Sequence, residues 1–173
     1  MSIKLITIDL DGTLLNSAKQ VSERNRRALM AAEAQGVMVT LASGRCSPVV
    51  WGFARMAGLK ASPVISNNGP RVQGPDGATL AEKCLDPEAA REVMRRWDGM
   101  GMFYILYSGD VMYYSYRPED YQRFAEAAAG PDATPRHVFD GDARYEAGAR
   151  HAHKLVCFDD DTARLERARA LLD

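Results

Sequence analysis

Lys4-Leu-Ile-Thr-Ile-Asp-Leu-Asp-Gly-Thr-Leu-Leu15 is the stretch on which the fold turns. A short run rich in Ile and Leu, residues 3–8, reads as a strand buried on both faces, the habit of parallel sheets. It feeds straight into Asp9 and Asp11, then Gly12 and Thr13. Residues i and i+2 of a strand share a face, so the two carboxylates are expected to leave the strand end together. Gly12 permits a sharp exit. Carboxylates this close repel each other unless a cation sits between or beside them. Oxygen ligands of this kind suit Mg²⁺, which prefers one or two carboxylates with substrate phosphate and water. One aspartate can then attack phosphorus while the other handles the proton. The segment points to aspartyl-phosphate chemistry, with Asp9 and Asp11 as catalytic and metal-ligating candidates.

Outward from this stretch, Ser22 followed by Glu23 opens a helix over residues 24–34, with Leu29, Met30 and Ala32 to Ala34 on its apolar side and Gly36 as its stop. Residues 37–42 form a second buried strand, and strand, helix, strand implies a right-handed parallel crossover. Ser43-Gly44-Arg45 follows directly, then a helix over 48–57 with Pro48 in its first turn and Gly58 at its end. Residues 63–66 read as a third strand, ending in the turn Asn67-Asn68-Gly69. The strand ends therefore carry Asp9 and Asp11, Ser43 and Arg45, and Asn67 and Asn68. In parallel α/β sheets ligands bind beyond the carboxyl ends of the strands, and all these polar clusters fall there.

Beyond Gly69 the pattern changes. Residues 71–73 and 78–80 read as a hairpin turning at Asp76-Gly77. Helices are expected over 87–100, 118–129 and 162–172, and strands over 102–107, 111–116 and 154–158. Residues 130–148 look irregular. Helices with hairpins suggest a second, α+β unit. The division expected is residues 1–82 for the first domain and 83–173 for the second. Tyr104, Tyr107, Tyr113, Tyr114 and Tyr116 lie on strands of the second unit, where aromatics pack a sheet face.

The chain has 173 residues, enough for a domain with a real core and a modest insert. Lys plus Arg is 22 against Asp plus Glu 23, a net charge of −1, which favours neither nucleic acid nor an anionic membrane. Cys46, Cys84 and Cys157 are scattered and odd in number, which argues for reduced thiols rather than a disulfide frame. No apolar run reaches the length of a membrane span, and the N-terminus lacks a signal-peptide pattern, so the cytoplasm is the expected location.

Asp9-Leu10-Asp11-Gly12-Thr13-Leu14 resembles the first motif of the haloacid dehalogenase-like (HAD) phosphatases, D-x-D-G-T, here directly after a strand. Ser43-Gly44-Arg45 looks like the family's second motif. Ser66-Asn67-Asn68-Gly69 and the α+β insert resemble the Cof-type branch, which carries a large cap. The resemblance implies an α/β fold, a Rossmann-like HAD core bearing an α+β cap. It implies Mg²⁺-dependent hydrolysis of small phosphate monoesters, such as sugar or metabolite phosphates. By the same resemblance Asp9 is the nucleophile and Asp11 the group that protonates the leaving oxygen and then activates water, its backbone carbonyl also reaching Mg²⁺. Ser43 would hydrogen-bond a phosphoryl oxygen, with Gly12, Thr13, Gly44, Arg45 and Asn68 around the substrate.

The family also uses a later lysine and distal acidic residues. Lys154 with Asp159, Asp160 and Asp161 is the one candidate cluster, and it fits better as a cap strand followed by a helix cap. On that alignment the chain ends inside the cap, and the first strand becomes an open sheet edge able to serve a homodimer. The alternative reading is a truncated or degenerate relative that binds metal, phosphate or a partner with little or no turnover.

Overall fold

The computed structural model describes residues 3–115, 136–138, 143, 146–147 and 150–172, and of residues 136–138 the backbone alone. Tyr116 and the helix expected over 118–129 lie outside the described residues, as does most of the stretch 130–148. The described residues fall into two compact units, one running to Lys83 and the other beginning at Cys84.

In the first unit, strands β1 (Leu5–Asp9), β2 (Met38–Ala42) and β3 (Val64–Ser66) are parallel, and β4 (Arg71–Gln73) and β5 (Thr79–Glu82) continue the sheet antiparallel, in the order β1-β2-β3-β4-β5. Register is set by pairs such as Leu5 with Met38, Asp9 with Ala42, and Ala42 with Ile65. Helices α1 (Glu23–Ala34) and α2 (Ser47–Met56) supply the crossovers. Ser22 caps α1 by accepting from the Asn25 amide at 3.2 Å. Past each helix a glycine takes the left-handed conformation, Gly36 at φ 77° and Gly58 at φ 78°. The core lies between β2, β3 and α2, with Val39, Leu41, Val49, Val50, Phe53 and Val64 all buried. The hairpin expected after Gly69 is present, and it extends this same sheet.

The expectation of a first strand buried on both faces is overturned. Leu5, Thr7 and Asp9 are exposed, and Ile6 and Ile8 are half-buried. The cause is position: among the described strands β1 pairs with β2 alone, so it is a sheet edge. Helix α1 likewise buries less than its composition suggests, with Leu29 buried but Met30 and Ala34 exposed.

The second unit is an antiparallel pair of hairpin partners with additions. Strands β6 (Phe103–Ser108) and β7 (Val111–Tyr114) turn at Gly109, which has φ 58°. β8 (Arg136–Val138) adds parallel to β7, and β9 (Ala152–Phe158) adds antiparallel to β6, giving the order β8-β7-β6-β9. β8 corrects the reading of 130–148 as wholly irregular: three residues there find ladder partners on the open edge of β7. Helices α3 (Pro87–Gly99) and α4 (Thr162–Ala170) join an apolar cluster in which Met94, Trp97, Tyr104, Leu106 and Ala168 are buried. Tyr104 and Tyr114 are fully buried, as aromatic sheet packing predicts. No helix among the described residues is long and apolar enough to cross a membrane.

Candidate functional site

The polar residues singled out by sequence gather at the carboxyl ends of β1, β2 and β3, all within the first unit. Strand β1 ends at Asp9, and the chain then turns sharply. Asp11 has φ −77°, ψ 121° and Gly12 has φ 77°, ψ 0°, the two central positions of a type II turn. The second of these needs positive φ, which Gly supplies without strain. The amide of Leu15 closes the loop by donating to the Leu10 carbonyl at 2.9 Å. Asp11 is thus placed by a turn and not by strand alternation, a different route to the same strand end from the one the i, i+2 spacing suggested.

The loops after β2 and β3 are stitched to each other by the backbone. The Ser43 amide donates to the Ile65 carbonyl at 3.0 Å, Asn68 to Ser43 at 3.1 Å, and Asn67 to Arg45 at 2.9 Å. Gly44 lies so close to Asn68 that a Cβ there would meet Asn68 Oδ1 at 2.5 Å. Beneath them the buried hydroxyls of Ser47 and Ser66 lie 2.8 Å apart and tie the start of α2 to the end of β3. Ser43 is buried, and its Oγ accepts from the Arg45 amide at 3.3 Å, which leaves its own hydrogen for an acceptor outside the loop. Cys46 gives α2 no side-chain cap, and the positive end of that helix faces this loop.

Asp11 is the best-held charge of the group. The Arg45 guanidinium grips it as a fork, Nε to Oδ2 at 2.8 Å and Nη2 to Oδ1 at 3.0 Å. Lys19 Nζ donates to Oδ1 at 2.7 Å. The hydrogen bond from Arg45, joined by that from Lys19 and by the charge of both, holds the Asp11 carboxyl well below the usual carboxylate range despite partial burial. Arg45 also stacks over the Phe53 ring, 5.5 Å from its centroid. No hydrogen bond or ion pair among the described residues reaches the Asp9 carboxylate. Thr13 and Asn68 are exposed beside this group.

Sequence reasoning missed Lys19 and the burial of Asn67. Lys19 sits eight residues beyond Asp11 in a polar loop, a separation that no periodicity marks. The signal, seen afterwards, is Asn16, whose Oδ1 accepts the amides of Ala18 and Gln20 and folds that loop back. Asn67 is only 1% exposed, yet neither atom of its amide has a hydrogen-bond partner. A buried amide of this kind needs a partner from water or ligand. In the second unit, Lys154 stands over the Tyr107 ring at 3.9 Å, while Asp161 caps α4 by accepting from the Ala163 and Arg164 amides.

The chain resembles known proteins along its whole length. It is 35% identical to phosphatase YwpJ of Bacillus subtilis over 111 residues, covering 64% of this chain and 39% of YwpJ. It is 28% identical to the HMP-PP phosphatase of Klebsiella pneumoniae over 180 residues, covering 98% of this chain and 59% of that protein. The crystal structure of TM0651 from Thermotoga maritima superposes with a TM-score of 0.82 at 23% identity, over 99% of this chain and 61% of that one. A haloacid dehalogenase-like hydrolase from Bacteroides thetaiotaomicron superposes with a TM-score of 0.81 at 22% identity, over 99% and 63%. The chain therefore spans about two fifths to two thirds of the length of these relatives. The haloacid dehalogenase-like hydrolase profile matches residues 6–172, and the chain belongs to that family, in its Cof-type branch.

Proposed function

We propose that this site hydrolyses small phosphate monoesters through an aspartyl-phosphate on Asp9. The observation that carries the reading is the Arg45 fork on Asp11, set beside a buried Ser43 hydroxyl and an unpaired Asp9 carboxylate at one strand end. A carboxylate without a partner is the one able to act as nucleophile. Arg45 presents to a phosphoryl group the same bidentate geometry it presents to Asp11, and Ser43 donates to a second phosphoryl oxygen. Gly12, Thr13, Gly44 and Asn68 complete the surroundings of the substrate. Relatives named as phosphatases support the reaction class.

In the first step an Asp9 oxygen bonds to phosphorus as the bond from phosphorus to the ester oxygen breaks, and the ester oxygen leaves as alcohol with a proton that Asp11 takes up from solvent and passes on. In the second step water attacks phosphorus and gives its proton to Asp11. The bond to Asp9 then breaks and phosphate is released. The Asp9 carboxylate and the Asp11 backbone carbonyl are hard oxygen donors that fit Mg²⁺. When bound there, the ion would neutralise charge on the phosphoryl oxygens.

We propose the division into a core of residues 1–82 and a cap of residues 83–173, for which the two compact units speak. The partner is a small phosphate ester in the cytoplasm, and the open edge of β1 serves a homodimer.

The test is hydrolysis of 4-nitrophenyl phosphate with Mg²⁺, with EDTA, and by Asp9→Asn. Turnover that needs both the metal and Asp9 is expected. A folded wild-type chain no faster than Asp9→Asn would favour the alternative, a relative that binds phosphate, metal or a partner without turnover.

A further inference from the structure

Two cations stand on the Asp11 carboxylate, where one would neutralise it. Arg45 grips both oxygens as a fork, and Lys19 Nζ donates to Oδ1 at 2.7 Å. The backbone that delivers Lys19 is uncommon: its φ is 56°, in the left-handed region that side chains other than glycine seldom adopt. The loop that imposes this is closely knit. The Asn16 amide donates to the Gln20 carbonyl at 3.0 Å, the Lys19 amide donates to the Asn16 carbonyl at 2.9 Å, and Leu15 bridges Val21. Asn16 Oδ1 accepts from the Ala18 and Gln20 amides. Among the described residues Asp11 Oδ1 is the one hydrogen-bond partner of the Lys19 ammonium. An ammonium carries three N–H donors, so two remain. The side chain is 60% exposed, which leaves those donors open to a ligand.

We propose that Lys19 is a binding residue for the phosphoryl group, a second cationic contact beside Arg45. This rests on the phosphatase reading above for its ligand and goes beyond it. Arg45 Nη2 and Lys19 Nζ both reach Oδ1 of Asp11, at 3.0 Å and 2.7 Å. Two donors that meet at one oxygen stand close enough for a single tetrahedral oxyanion to accept from both. Charge says what such a pair is for. A phosphate monoester arrives largely as a dianion, beside the carboxylates of Asp9 and Asp11. With Arg45 as the sole cation these side chains sum to a net negative charge and repel the substrate. Lys19 brings the sum to zero and removes that repulsion at contact distance, where it is largest. The flexible stem of a lysine lets the ammonium keep Asp11 on one N–H while a phosphoryl oxygen takes another. The Asn16 loop fixes where that stem begins, so the charge is in place before the substrate arrives.

The probe is inorganic phosphate, titrated calorimetrically into the full chain with Mg²⁺ present. Lys19→Asn keeps a residue that tolerates left-handed φ and removes the ammonium. Lys19→Gly removes it with no strain in the loop. Both are expected to raise the Kd for phosphate at least about fivefold, the scale of a hydrogen bond to a charged group, with the fold intact by circular dichroism. Lys19→Arg, which keeps the charge, is expected to recover most of the affinity. A direct contact also survives the loss of the Asp11 charge, so Lys19→Asn is expected to weaken phosphate by a similar factor in an Asp11→Asn background. A loss that vanishes in that background means that Lys19 acts only through Asp11, and it overturns the contact. Unchanged affinity in both Lys19→Asn and Lys19→Gly overturns it too, and in either case the phosphatase reading stands on its own test. Wild-type protein that hydrolyses 4-nitrophenyl phosphate no faster than Asp9→Asn, with the phosphate losses intact, overturns the hydrolytic reading and supports the contact.

Discussion

Gly44 shows how narrowly the site is built at the scale of single residues. It lies between Ser43 and Arg45, and its missing Cβ is the space taken by Asn68 Oδ1. In Gly44→Ala the methyl group has to move that oxygen, which ends a flexible side chain, so the fold adjusts at little cost. The Asn68 amide, however, is displaced from the substrate side of the loop. The expected outcome is a melting temperature within a few degrees of wild type and a KM for 4-nitrophenyl phosphate raised about threefold or more, on the order of the hydrogen bond disturbed. An unchanged KM would show that Asn68 does not meet the substrate. The place of Asp9, Asp11, Ser43, Arg45 and Asn68 at the ends of strands was legible in the sequence, because short apolar runs lead into each. Lys19 was not, since a cation that folds back from a loop has no period to betray it. Asn67 was placed in the turn, but its burial was not, because burial there comes from loops that meet only in three dimensions.

Elements were legible where local chemistry fixes them. Each long helix has a side-chain cap or proline at its start: Ser22 for α1, Pro48 within α2, Asp86 with Pro87 for α3, Asp161 for α4. Asp161 Oδ1 accepts the Ala163 amide at 2.8 Å and the Arg164 amide at 3.3 Å. Asp161→Ala therefore removes the partner of both donors and is expected to cost ~1 kcal/mol. On a chain of this size that is a fall in melting temperature of roughly 2–4 °C. Asp161→Asn, which keeps a capping oxygen, should recover most of it in a calorimetric scan. If alanine melts with wild type, Asp161 is not a working cap, and the acidic cluster would need another role. The element that sequence misjudged was β1. Its Ile and Leu content reads as two-sided burial, but composition records what a strand could bury, not which neighbours cover it. β8 escaped for the converse reason: three residues become a strand only because the edge of β7 is there to pair with them.

At the scale of the molecule the exposed face of that first strand is the feature with a consequence. Ile3 is 69% exposed, Leu5 54%, and Met38, the register partner of Leu5, 49%. An edge strand is normally blunted by charge, proline, a bulge or a covering element. Along Leu5–Asp9 the first acidic or basic residue is Asp9 at its end, the run holds no proline, and the register with β2 proceeds without a bulge. On the dimer proposed above, the outer side of β1, which pairs with no other described strand, and the apolar side chains beside it are the surface that a second copy would match through its own β1. Association through it adds ladder hydrogen bonds and removes apolar area from water together. Light scattering is therefore expected to give a molar mass that rises with concentration toward twice that of the chain. Leu5→Lys places a charge on the exposed edge and should hold the protein monomeric. Since Leu5 is exposed, that substitution should leave the melting temperature of the dilute protein unchanged. A wild-type chain that stays monomeric at high concentration would remove the edge as a dimer surface, and a dimer that survives Leu5→Lys would move the contact elsewhere.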